Sequence, residues 1–358
     1  MKNYTFPVII VLLSVIFICS CSGKTERSRK PVSTIELASA GKNLIWGQPL
    51  TFKVTTKLKD GQLKNVRVFL NNTLVISTTQ TEFTYTIPSL KEGGVNTLRV
   101  IAEKNDGVNN TRTQQFTVLS DITPIKSDYS VIREYKHSTG HFTQGLEIHQ
   151  GFLYEGTGEN GKSSLFKINY PNNKILHSVS LPEKYFGEGI TILNEKVYQL
   201  TYKHQTGFVY NLADFAVIDS FKYDSPEGWG LTNDGKSLIM SDGTGTLTWL
   251  NPQNYKAEKK IQVTDNQKVY QYLNELEYDN GFIWANVWTT DQIVRIDAHT
   301  GKITDYIDLK GILGVMNPNS TEQIDVLNGI ALLPQSGNLL ITGKFWPKMF
   351  EIKVHTLK

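Results

Sequence analysis

Cysteine is almost missing from this chain: there are 2 in 358 residues, Cys19 and Cys21, both near the N-terminus. The remaining sequence can form no disulfide, thiolate metal site or cysteine nucleophile. An excess of one charge is missing too. Lys+Arg total 37 against Asp+Glu 34, a net charge of +3, with no dense basic stripe. A nucleic-acid partner is therefore not expected. The G-x-S-x-G, phosphate-loop and dinucleotide-binding patterns are absent. Histidine is sparse and scattered, with 7 in all. His137 and His141 are four apart, but in an extended segment, so the sequence implies no metal pair there.

The N-terminus carries a targeting segment rather than part of a fold. Lys2 precedes the apolar run Val8–Cys19, which is too short for a comfortable membrane span. The run ends in Ile18-Cys19-Ser20-Cys21, which resembles a bacterial lipobox. Ile18 is large for the position before a cleavage site, so Cys21 is the expected lipid attachment point. This implies a signal peptide over 1–20, a polar tether over 21–33, and a bacterial cell-envelope protein held to the membrane by lipid.

What is abundant is β-forming sequence. Aromatics make up 11% of the chain, many beside Gly, Asn and Asp in short runs. Residues 34–122 alternate apolar and polar over Leu50–Thr56, Val66–Leu70, Phe83–Ile87, Thr97–Ala102 and Gln115–Leu119. Turn pairs such as Asp60-Gly61 and Asn71-Asn72 separate them. The pattern predicts a small Ig-like β-sandwich. A linker follows over Asp121–Ser127.

The C-terminal region, 128–358, contains an internal repeat. FTQGLE, FGEGIT, GWGLT, LNELEY and LNGIAL recur in order, each followed by a second apolar run. Four of them continue into a strand pair around a polar turn. Tyr129 to Lys358 spans 230 residues, or 46 per repeat, a propeller-blade period. The expected fold class is thus all-β, a five-bladed β-propeller preceded by the sandwich. The fifth repeat lacks its outer strand, and SVIREYKH before the first repeat can supply it and close the ring.

Equivalence across repeats places Gln144, Glu188, Trp229, Asn274 and Asn328 at the start of the innermost strands, around one mouth of the channel. The next strand contributes a second ring of Glu155, Tyr202, Asp242, Trp288 and Lys344, to within a residue or two. Such a polar and aromatic mouth suits a small-ligand pocket.

HFTQGLE, FGEGIT, TGFVYN, GWGLTNDG, SDGT, NELEY, WANVW, TDQIVRID, DVLNGIA and TGKFWPKMFEI run in order from about residue 135 to the C-terminus. In these stretches the chain resembles the plant-type glutaminyl cyclases, or glutamine cyclotransferases. The resemblance implies a five-bladed propeller and conversion of a peptide's N-terminal glutamine to pyroglutamate with release of ammonia. It puts the essential carboxylate on Glu188, the aromatic pocket on Phe142, Phe186, Trp229 and Trp288, and the polar pocket groups on Gln144, Asn274 and Lys344. Where that family commonly has another Trp, this chain has Tyr202. No cofactor is expected for catalysis, and a structural Ca2+ deeper in the channel is compatible with inner-strand carbonyls. The implied partners are peptides or proteins with N-terminal Gln and the membrane, and a monomer is expected. Two other readings stay open. One is a metal-dependent hydrolase or lactonase recruiting Glu155, Asp242, Glu275 and Asp325; the other is a ligand-binding module without catalysis.

Overall fold

Alternating apolar residues and closely spaced turn residues favour strands throughout. The computed structural model is accordingly all-β, with no α-helix among the residues it describes: Met1, 27–39, 41, 43–314 and 324–355. Cys21 and the expected signal peptide after Met1 lie outside these residues.

Two sheets form the N-terminal part. Val32–Leu37, Leu50–Lys57 and Glu82–Ile87 make a three-stranded sheet. Leu44–Ile45, Asn109–Leu119, Gly94–Lys104, Leu63–Leu70 and Thr73–Thr78 make a five-stranded one. Their apolar faces share one core that includes Phe52, Val54, Val68, Leu98 and Val100. The first strand begins at Val32, inside the stretch expected to be a tether.

The expected linker is not free either. Ile125–Lys126 adds to an edge of a later sheet, parallel to Ile303–Asp308. Around it, Gln262 exchanges two hydrogen bonds with the Val95 backbone, at 3.0 and 3.1 Å. Lys302 pairs with Asp121 at 2.6 Å and lies over the Trp46 ring. Backbone polar groups that a free linker would give to water are here partly used by the sheet edge.

Residues from Asp128 onward form five sheets with four sequential or ring-closing strands each. Their innermost strands are Thr143–His149, Gly187–Leu193, Leu231–Asn233, Leu273–Asp279 and Leu327–Leu333. These strands contact one another in a closed cycle. The outer strand of the fifth sheet is Asp128–Lys136, paired antiparallel with Lys348–His355. A separate apolar cluster fills each of the five gaps between neighbouring sheets. That is why an inner strand such as Gly187–Leu193 is buried at every position, while the outer Lys174–Ser180 is mostly exposed.

A glycine at the second inner-strand position permits this close approach. A Cβ on Gly189 would sit 2.4 Å from the Leu231 nitrogen, and one on Gly230 2.0 Å from the Asn274 oxygen. The fourth repeat has Glu275 there. Its carboxylate accepts from the backbone N–H of Leu146 at 3.2 Å and of Ile330 at 2.8 Å, tying innermost strands of the first and fifth sheets.

Candidate functional site

The repeat places three structural positions around one cavity. In four sheets the residue two before the inner-ring position offers its carbonyl to a residue near the end of the second strand. These pairs are Phe142 with Gly158, Phe186 with Tyr202, Tyr272 with Trp288, and Val326 with Lys344, at 2.8 to 3.0 Å. The matching pair in the third sheet is Glu227 and Gly243. The loops are thereby pinned to the sheets that carry them.

The cavity has a volume of about 550 Å³. Phe142, Gln144, Phe186, Glu188, Tyr202, Trp229, Asn274, Trp288 and Lys344 all line it. The pocket residues that the family resemblance implies, with Tyr202, are therefore brought to one place. The walls are aromatic. Phe142 meets Phe186 edge-on at 5.9 Å, Phe186 and Tyr202 are 5.8 Å apart, and Trp229 meets Trp288 edge-on at 5.6 Å.

The second ring, expected to within a residue or two, is met at Tyr202, Trp288 and Lys344, is one residue off at Asp242 and three off at Glu155. Glu155 and Asp242 do not line the cavity; Gly158 and Gly243 hold the equivalent places. Bulk explains it. A Cβ on Gly158 would lie 2.4 Å from the Phe186 ring, and one on Gly243 2.6 Å from the Trp229 indole. Asn328 of the first ring stands behind the wall and donates to Gln144 Oε1 at 3.1 Å.

Tyr272, Thr289, Asp325 and Val326 also line the cavity. Of these only Asp325 was considered from sequence, and for another chemistry. Tyr272 was legible in principle, since it lies two residues before Asn274 as Phe142 lies before Gln144. Tyr272 and Thr289 have φ of 64° and 65°. Such backbone typically costs about 1–3 kcal/mol and gathers at functional sites. Bonds from Tyr272 N–H to the Gly243 carbonyl and from Trp288 N–H to the Tyr272 carbonyl, each 2.9 Å, hold the turn.

Glu188 is buried in this cavity. Burial pushes its carboxyl well above the usual carboxylate range; the positive charge of Lys344 opposes this and the negative charge of Glu227 adds to it. Lys344 is also buried, which lowers its pKa, while Glu188 and Asp325 act to raise it. Its ammonium lies 4.5 Å from the Phe142 ring centroid. Asn274 Oδ1 is buried and makes no hydrogen bond within the described protein. The cavity thus brings together a buried carboxyl, Glu188, a buried amine, Lys344, and an unpaired acceptor, Asn274 Oδ1, between apolar walls, with Asp325 also in the lining.

The four acids of the hydrolase reading do not converge. Glu275 is spent on backbone amides. Asp242 accepts from Ser225 and Thr244. Glu155 accepts from His137 Nε2 at 3.0 Å, His141 Nδ1 at 2.8 Å and Thr143 Oγ1 at 2.7 Å. Only Asp325 reaches the cavity. The donor atoms of His137, His141 and Glu155 lie within 4.8 Å of one another, close enough to hold a cation. Hydrogen bonding already accounts for them, because His137 Nδ1 faces the Trp346 carbonyl at 2.8 Å and each carboxylate oxygen has a partner. Burial would raise the Glu155 pKa, yet the histidine charges hold it far below the usual range.

A ring of four-stranded sheets enclosing an aromatic cavity with a buried glutamate defines a class, and comparison with known proteins places the chain in it. The family model described as Glutamine cyclotransferase matches residues 107–354, and the chain belongs to that family. It is 39% identical over 236 residues to an Arabidopsis thaliana glutaminyl-peptide cyclotransferase, covering 65% of this chain and 73% of the relative. The crystal structure of Myxococcus xanthus glutaminyl cyclase is 33% identical and superposes with a TM-score of 0.59, covering 66% of this chain and all of that one.

Proposed function

We propose that this protein is a glutaminyl-peptide cyclotransferase, with Glu188 as its general acid and base. The observation that carries the reading is a single carboxyl, buried among aromatic rings beside Lys344, in a member of this family. The N-terminal glutamine of a peptide folds its α-amine onto its own side-chain amide carbon. The N–C bond forms as Glu188 takes the amine proton. Glu188 then returns that proton to the amide nitrogen, the C–N bond breaks, and ammonia leaves. Because the attack is intramolecular, holding the folded geometry supplies much of the rate. Lys344, Asn274 and Gln144 are the groups placed to hold the amide oxygen and the peptide backbone.

The architecture fits a five-bladed β-propeller. Five four-stranded sheets, five inter-sheet cores and a closed cycle of innermost strands support that description. The two packed sheets before it are read as an Ig-like module. Lipid attachment at Cys21 and a place in the bacterial envelope rest on the lipobox-like sequence. We assign the chain as a monomer whose catalysis needs no cofactor. A structural Ca2+ deeper in the channel would be held by inner-strand carbonyls.

Mass spectrometry of a Gln-initiated peptide incubated with the purified protein tests the reading. Loss of one ammonia is the expected result, unaffected by chelators. An unchanged peptide would sink it, and loss of activity on chelation that zinc restores would replace this chemistry with a metal-dependent one.

A further inference from the structure

Glu227 holds the position in the third repeat that Phe142, Phe186, Tyr272 and Val326 hold in the others, two residues before the inner ring. Those four line the cavity; Glu227 does not. Its carboxylate instead turns onto the outside of the wall. Oε2 accepts from Trp229 Nε1 at 3.0 Å, and Oε1 lies 3.5 Å from Lys203 Nζ. That ammonium in turn sits 4.6 Å from the centroid of the Tyr202 ring. Trp229 and Tyr202 both face the cavity. One carboxylate therefore ties together two aromatic walls from neighbouring sheets.

The Trp229 indole is otherwise held by shape alone. Gly243 leaves room beneath it, and Trp288 meets it edge-on. Neither contact sets the rotation of the ring in its own plane. The Nε1–H bond does, and it is charge-assisted, which makes it stronger than a neutral one.

We propose that Glu227 is a positioning residue for the cyclisation: it fixes the Trp229 indole as a substrate wall and places a negative charge behind that wall. This rests on the cyclotransferase reading. The charged and titratable groups around Glu188 come from several elements. Lys344 of the fifth sheet favours its ionised form and Glu227 disfavours it. Tyr223, which donates to the Thr201 carbonyl, feels the Glu188 charge, and Asp325 acts on Lys344. Phe142, Phe186, Tyr202 and Trp229 complete the walls.

Two substitutions separate the two roles. Glu227→Gln keeps an oxygen for Trp229 Nε1 and removes the charge. Without that charge Glu188 ionises more readily, so the acidic limb of kcat/KM moves to lower pH. The expected result is a limb displaced to lower pH than in wild type, with KM close to wild type. Glu227→Ala removes both charge and acceptor. It should show the same shift and a KM raised about 2- to 10-fold, the usual effect of one lost hydrogen bond. Its tryptophan emission should also change. A purely structural role would lower Tm and leave the limb in place. A Glu227→Gln profile superimposable on wild type overturns the charge role. Unchanged KM and emission in Glu227→Ala overturn the positioning role, and if that variant does not fold, Glu227→Leu, which keeps bulk without an acceptor, decides it by the same two readouts. Wild-type protein that releases no ammonia would overturn the cyclotransferase reading itself, a result distinct from either.

Discussion

Lys344 holds its ammonium 4.5 Å from the centre of the Phe142 ring, in the same cavity as Glu188. The two charged residues act on each other while burial disfavours the charge on both. The balance between these opposing influences is what substitutions and pH can expose.

Glu188→Gln keeps the size and hydrogen bonding of the side chain but cannot accept and return a proton. General acid–base catalysis contributes about 10²–10⁴-fold, so kcat should fall at least about 100-fold. Thermal stability should hold or rise, because a desolvated carboxyl is gone. Near-normal kcat with a raised KM would make Glu188 a binding residue only.

The pH dependence of stability should carry a signature of the channel. Burial pushes the Glu147 carboxyl up to about 7, against bonds from Ile192 N–H and Thr191 Oγ1. A carboxyl whose folded pKa is raised binds its proton more tightly folded than unfolded. Stability from this group is thus present at low pH and falls as pH rises from the ordinary glutamate range through about 7. Glu147→Gln should flatten Tm against pH in that window. An unchanged slope would remove Glu147 as its source.

Glu155 should behave in the opposite sense. Its folded pKa is held down, so its stabilisation is present above the ordinary glutamate pKa and is lost as pH falls below it. The His141 pKa is raised by Glu155, although burial opposes it, so that part fades as pH rises beyond the usual histidine value. Replacing Glu155 by Ala strands two buried histidines. Breaking a buried pair this way costs about 3–5 kcal/mol, and denaturant unfolding should show a loss of that order. A loss below about 1 kcal/mol would mean the cluster is not a structural ion pair.

Ring closure can be tested by truncation. A chain beginning at Ser127 keeps Asp128–Lys136 and should fold and cyclise substrate. A chain beginning at Ser138 loses that strand and His137, exposing the Lys348–His355 edge. It should aggregate or melt well below the longer form. Equal melting temperatures would refute closure by the N-terminal strand.

Much of this was legible in the chain. The repeats stand out because each sheet needs an apolar inner strand, and most need the same close-approach glycine and the same polar turn; the fourth has Glu275 in place of the glycine. All nine cavity residues named from the sequence line one cavity because repeat equivalence and the family motifs point to the same positions. Tyr272 was within reach of repeat equivalence and was missed; the left-handed backbone at Tyr272 and Thr289 that shapes this side of the cavity was not legible, because local pattern does not show it. Glu155 and Asp242 were misplaced into the second ring because the sequence does not show that Phe186 and Trp229 fill the space at Gly158 and Gly243.

Strand composition, repeat period and turn positions belong to the sequence by itself, because alternation and turn chemistry act over a few residues. The state of each buried acid was decided only by the tertiary structure. Glu155 in LYEGT and Glu188 in GEGIT are both buried glutamates beside glycine. His137 and His141 favour the ionised form of the first, while burial among aromatic walls, with the Glu227 charge, raises the proton affinity of the second. A carboxyl's proton affinity is set by the charges and solvent within a few ångströms of it, and for both residues those neighbours come mostly from other strands and other sheets.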